Sequence, residues 1–418
     1  MVSPEDYGAV GDGVTDDTTA WQSAINSGQN VKAESTKYLC GCLNVSADIE
    51  IDCNNAEFTA TESILFNCCG SVAKETVEES YTANENYQLS DTFTGIAFIS
   101  GTNNIFKQRS YYRGGSVEEF KNGALQNTIP VDITTPTVYE LNTITFSIKN
   151  IANVTFQDTT DAVVIKAQYV RDSIVENVNM THLCYSVIQF WQCYNCTYKD
   201  STFDIPQYGE VSTNYYPVEI VDTCYTKLLN LTGHCEGWHC ATTGNHTLCR
   251  QTYVDSCDFS CDYPIPAYGD HENGIETRIV NSKLTSVGLG ASSTLENCVI
   301  RATSTDKLCN INLNMYSVNG IAKYTIKNCI FYPENNTEPY SGIRVYCGAY
   351  GRGTESDYYF NQLLVKNCQN YNPKIPMNII YGLVGTYTGT ITIEEITVID
   401  STPSIAVSAQ NKNYAFMA

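Results

Sequence analysis

The chain is poor in charge, and poorest in positive charge. Asp, Glu, Lys and Arg make up only 17% of its 418 residues, and 24 basic residues face 45 acidic ones, a net charge of −21. Long-range repulsion therefore argues against nucleic acid and against an anionic membrane surface as partners. No stretch of 18 apolar residues occurs, so no membrane insertion is expected. The opening MVSPEDYGAV lacks the basic and apolar regions of a secretory leader, so no signal peptide is expected either. Without that context, 19 Cys do not read as a disulfide scaffold. Histidine is scarce, at five residues, and four of these lie between His234 and His271.

What is abundant is uncharged and polar: Asn, Ser, Thr, Gly and 30 Tyr, a composition suited to β-structure. A short pattern returns through the chain. LLNLTG (228–233), YVDSCDF (253–259), RIVNSKL (278–284) and TLENCVI (294–300) each place an Asn or Asp among alternating apolar residues. Further copies stand at 148–156, 175–180, 198–205, 326–332, 365–371 and 391–400. Read at Asn230, Asp255 and Asn281, the period is 25 to 26 residues (255 − 230 and 281 − 255). A period in the twenties built from strand-like pieces marks a stacked β-solenoid. Cys298, Cys329 and Cys368 follow the repeat Asn, which predicts an interior ladder of reduced, structural thiols. Read instead as zinc half-sites, Cys193/Cys196 and Cys257/Cys261 are the weaker alternative.

Four segments follow. Residues 1–30 contain the Gly8, Gly11, Gly13 turn and a helical spacing of Ala20, Trp21, Ala24 and Ile25 behind an N-cap at 15–18, an end cap for the solenoid. Residues 31–69 read as first coils and 70–142 as β-hairpins inserted between coils. Residues 143–418 read as the main β-helix. Within the insertion, Arg109, Tyr111, Tyr112 and Arg113 form a sugar-binding or subunit-contact candidate.

The richest chemistry lies in the central repeats. His246 is 16 residues after Asn230, and His271 is 16 after Asp255, so a constant register stacks the two imidazoles one rung apart. Asp270, His271, His246, Glu272, Glu236 and Asp262 are the candidate catalytic groups. Trp238, His239, Arg250, Arg278 and Tyr268 are candidates for holding substrate. Three chemistries stay open. Paired carboxylates one or two coils apart suit glycoside hydrolysis. A base with Arg250 or Arg278 suits lyase chemistry. A divalent cation on His246, His271 and Asp270 suits phosphodiester cleavage, though no metal ligand set is assigned.

The capping string DYGAVGDGVTDDTTAWQSAI (6–25) resembles the entry motif of pectate-lyase-like right-handed β-helix proteins, phage tail spikes above all. HCATTGNHTLCRQTYVDSCDF (239 is its His neighbour, from 234) and YGDHENGIETRIVNSKL resemble the β-helix of phage tail-spike and pre-neck appendage proteins. The resemblance implies an all-β right-handed parallel β-helix with a short N-terminal capping helix and a β-rich insertion. It implies a homotrimer on the virion tail, made in the host cytoplasm, contacting other tail or baseplate proteins. The partner it implies is a host cell-surface glycan, polysaccharide or teichoic acid, which such spikes bind and often degrade. A non-catalytic adhesin or structural virion component of the same fold is the alternative.

Overall fold

A computed structural model describes residues 1–103, 114–206, 216–244, 248–262, 265–270, 274–301, 311–315, 323–332, 340–347, 358–370, 377–383, 391–399 and 406–409. The chain winds as a right-handed parallel β-helix. Two parallel sheets wall it, with nineteen and twelve strands among the described residues. The first sheet carries the sequence repeats, from Ile49–Ala60 through Phe146–Phe156, Ile174–Met180, Thr197–Ile205 and Lys227–Cys235 to Ile391–Ile399. The second runs beside it from Leu43–Val45 through Ile64–Cys69, Val163–Gln168, Ser186–Trp191, Val218–Val221, Ala241–Thr243 and Tyr268–Asp270 to Ala406–Ala409. Alternating residues turn inward and form one continuous apolar core.

The repeat Asn is explained by backbone geometry. Asn150, Asn177, Asp200, Asn230, Ser256, Asn281, Asn297, Asn328 and Asn367 all have positive φ, between 50° and 63°. Each bends a long strand of the first sheet at one point, in a conformation that Asn tolerates better than most residues. The side chains then bond from coil to coil: Asn328 Nδ2 donates to Asn297 Oδ1 at 3.0 Å, and Asn367 Nδ2 to Asn328 Oδ1 at 3.2 Å. The following residue closes the bend. Ser201, Cys257, Ser282, Cys298, Cys329 and Cys368 each donate to the carbonyl two residues back, at 2.7 to 3.4 Å. The Asn-Cys and Asn-Ser pairs are thus one unit, and the free, buried thiols serve it. Cys193 and Cys196 close bends at Gln192 and Asn195 in the same way.

One repeat position shifts. Leu229 pairs with Asp255, so the bend that follows Asn230 falls at Ser256 and not at Asp255.

The helix Thr18–Asn26 closes the first coil, burying Trp21 edge-on against Tyr38 with ring centroids 5.1 Å apart. Asp17, at its N-cap, does not bond the helix; its carboxylate accepts from Val10 and Gly11 N–H at 2.6 and 3.1 Å and fixes the glycine turn. Between Ser71 and Asn142 the chain leaves the coil and forms a five-stranded antiparallel sheet. This inserted sheet packs Ile96, Val117 and Leu141 against Tyr194 and Cys224, on the short segments that join the second sheet to the first. No described helix is long and apolar enough to cross a membrane.

Replacing Asn328 separates its two roles. Asn328→Ala loses the amide ladder and strains a φ of 54°, and should cost about 1–2 kcal/mol in equilibrium denaturation. Asn328→Gly keeps the backbone free and should cost less; equal losses would contradict the role given to the bend.

Candidate functional site

The structure separates the residues that the repeat count places together. His246, His271 and Glu272 lie outside the described residues. The strands around them show that the constant register does not hold: Thr243, not Asn245, pairs with Asp270. Asp270 and Tyr268 face the inside of the coil. The Asp270 carboxylate receives the Thr243 hydroxyl, the Tyr268 and Thr277 hydroxyls at 3.0 Å, and Gly290 N–H at 3.0 Å. Burial holds its pKa above the usual carboxylate range although these bonds pull it down. This is an interior polar hub tying three coils, not a group presented to a substrate.

Arg250 is likewise structural. Its guanidinium is buried and bonds Glu118 Oε1 of the inserted sheet at 2.5 Å, Thr128 O at 3.0 Å and Glu276 Oε2 at 3.3 Å. Glu118 is fully buried, with its Oε2 lacking a hydrogen bond, and burial raises its pKa against the pull of Arg250. Arg278 sits on the first sheet, exposed and 3.3 Å from Glu296. Trp238 and His239 are buried. His239 stacks on Tyr216 at 6.4 Å and donates Nδ1–H to the Pro266 carbonyl; burial brings its pKa down to about 4, so it is neutral. Its ring lies over Gly269, where a Cβ would stand 3.0 Å from Cε1.

Glu236 and Asp262 are brought together. Cys235 pairs with Cys261, so the two carboxylates follow at equivalent places on successive rungs, and both are exposed. Beside them His234, which the sequence reading left out, shares a hydrogen bond between Nδ1 and Ser260 Oγ at 2.9 Å and holds Nε2 3.7 Å from Asp262. Only the register of Asp204, His234 and Ser260 on three coils reveals this group.

A second surface was also missed. The outer face of the second sheet lies between the loops that lead into its strands and the inserted sheet at the strands' far ends. One row across it reads Asn67, Lys166, Gln189, Glu219, Thr242, and the next Cys69, Gln168, Trp191, Val221. Gln189, Glu219 and Thr242 are covered, whereas Lys166, Gln168, Trp191 and Gln192 remain half-buried. Gln168 Nε2 donates to Gln192 Oε1 at 2.7 Å, and Gln192 Nε2 to Asp222 Oδ2 at 3.0 Å. Asp222 is buried with its Oδ1 lacking a hydrogen bond, and burial pushes its pKa up to about 8. An indole, a cation and two amides side by side can bind a polar molecule with an apolar face.

No family model matches the chain, and no curated protein matches its sequence. Solved structures do match, at low identity and over almost its whole length. The Gp54 tailspike of Acinetobacter baumannii bacteriophage AP22, determined with A. baumannii capsular saccharide, aligns at TM-score 0.72 and 12% identity, over 99% of this chain and 76% of that one. The tailspike gp49 of Pseudomonas phage LKA1 aligns at 0.71 and 14%, over 99% and 80%. The tailspike gp61 of Pseudomonas phage phi297 aligns at 0.69 and 13%, over 98% and 77%. At these identities the likeness shows the fold.

Two variants test the assignments. Arg250→Met leaves Glu118 buried without its cation and should destabilise the protein by about 3–5 kcal/mol, with the Glu118→Gln, Arg250→Met pair recovering part of the loss. Asp222 binds its proton more tightly folded, with a pKa of about 8, than unfolded, near 3.8. Its contribution is therefore full below about pH 4 and lost as pH rises through 8. Asp222→Asn should melt above the parent at pH 9 and level with it at pH 4; an unchanged difference between the two would refute the buried acid.

Proposed function

We propose that this chain is the β-helix body of a phage tailspike that binds host cell-surface polysaccharide along the outer face of its second sheet. Its place is on the virion tail, as a homotrimer joined to other tail proteins. The observation that carries this is the likeness along the whole chain to three tailspikes, one of them holding a capsular saccharide. The half-open row of Lys166, Gln168, Trp191 and Gln192 supports it, since amides suit sugar hydroxyls and an indole suits a pyranose face.

A second reading, cleavage of the bound polymer, is favoured by Glu236 and Asp262. Successive rungs are about 4.8 Å apart, close to the roughly 5–5.5 Å between the carboxyls of a retaining glycosidase. His234 beside them gives the site a further proton carrier.

Immobilised capsular and wall polysaccharides from candidate hosts should retain the protein for at least one host. Sizing of that polymer after incubation should show shorter chains and new reducing ends, lost in Glu236→Gln and Asp262→Asn. A polymer bound but never shortened leaves the spike as an adhesin; no polymer bound from any host removes the proposal.

A further inference from the structure

The two sheets treat their lysines differently. On the first sheet, Lys149 stands in register between Asp52 and Glu176, and Glu176 faces Lys199. Lys149 pairs with Glu50 and Lys199 with Glu176, each at 2.5 Å. On the second sheet, the in-register neighbours of Lys166 are the amides Asn67 and Gln189. Glu219 is the next acid in that row, two rungs or about 10 Å away, and its Oε2 already accepts from Gln189 Nε2 at 2.8 Å. Lys166 forms no ion pair. Its ammonium rests on the Trp191 ring, 5.0 Å from the centroid.

A cation held on an aromatic ring is fixed in position at little energetic gain, about 0.5–1 kcal/mol where solvent reaches it. A carboxylate offers it more, because a charge-assisted hydrogen bond is roughly twice as strong as a neutral one. Drawn outward to a carboxylate, the ammonium uncovers the indole face for the apolar C–H face of the same sugar ring. Gln168 and Gln192, bonded to each other alongside, present the remaining amide groups to its hydroxyls. Cation, aromatic face and amides together match a pyranose that carries a carboxylate.

We infer that Lys166 and Trp191 form a subsite for an acidic sugar, so that the polymer this protein binds contains a uronate-type residue in its repeating unit. The inference rests on the polysaccharide-binding reading and adds the chemistry of the ligand. An overall charge of −21 makes the assignment selective, since without a placed cation an acidic polymer is repelled.

The full chain is tested on its bound polymer in three forms: native, carboxyl-reduced with carbodiimide and borohydride, and dephosphorylated with cold hydrogen fluoride. Native and dephosphorylated polymer should bind alike, and carboxyl-reduced polymer at least ten-fold more weakly. Lys166→Met should lose the same ten-fold on native polymer, no longer distinguish it from the reduced form, and melt like the parent. Trp191→Ala should weaken binding to both forms. Equal binding of native and reduced polymer by the parent, or binding lost only on dephosphorylation, overturns the acidic-sugar subsite while polymer binding stands. A Lys166→Met variant that binds like the parent also overturns it. Failure of every polymer to bind removes both.

Discussion

A left-handed bend, repeated once per coil, is the constraint on which the first sheet depends. A parallel stack needs each strand to turn the same corner at the same height, and a positive φ is costly for most side chains. Asn meets the requirement and adds an amide that bonds the same amide on the neighbouring coil. The Ser or Cys that follows draws in the carbonyl across the bend. Only this corner is fixed. Neighbouring repeat amides are 16, 31 and 39 residues apart between Asn281 and Asn367, and loops absorb the difference without disturbing the strands.

That explains what was legible in the sequence. The bend selects particular residues, so Asn-Cys and Asn-Ser among alternating apolar residues revealed a β-helix from the chain alone. Positions remote from the bend were not legible, because the spacing changes within a single coil. Cys235 pairs with Cys261, Ala241 with Tyr268 and Cys249 with Gly274, offsets of 26, 27 and 25 residues (261 − 235, 268 − 241, 274 − 249). Counting 16 residues from Asn230 and from Asp255 therefore crossed two loops of unequal length, and started one residue off at Asp255. Glu236 and Asp262, close behind a paired strand, escape that error.

Period-two alternation also hides which face a residue occupies. Asp270 looks like a surface acid and is an interior one, because its strand pairs Thr243 with it and Ile220 beyond. Arg250 looks like a cation offered to an anionic substrate, but its anion, Glu118, lies 132 residues away in the inserted sheet. A contact between a repeat and an insertion leaves no trace in the repeat itself. The buried pair ties the insertion to the coil, and its desolvation is tolerable only with both charges present.

The location of the binding surface follows by asking which faces of the stack are already satisfied. The outer face of the first sheet saturates itself, with amides bonding amides and lysines alternating with acids. The segments joining the sheets are covered by the insertion, through Tyr194, Cys224 and the Arg250 clamp. On the second sheet the middle rungs are covered as well, down to Glu219 and Thr242. What remains half-open is the stretch where Lys166 meets amides instead of acids and Trp191 offers an aromatic ring. A solenoid that pairs its polar groups so thoroughly elsewhere leaves a cation without an anion here. The missing partner is then best sought in the ligand, which is why the ligand's charge, more than its length or linkage, is what this surface specifies.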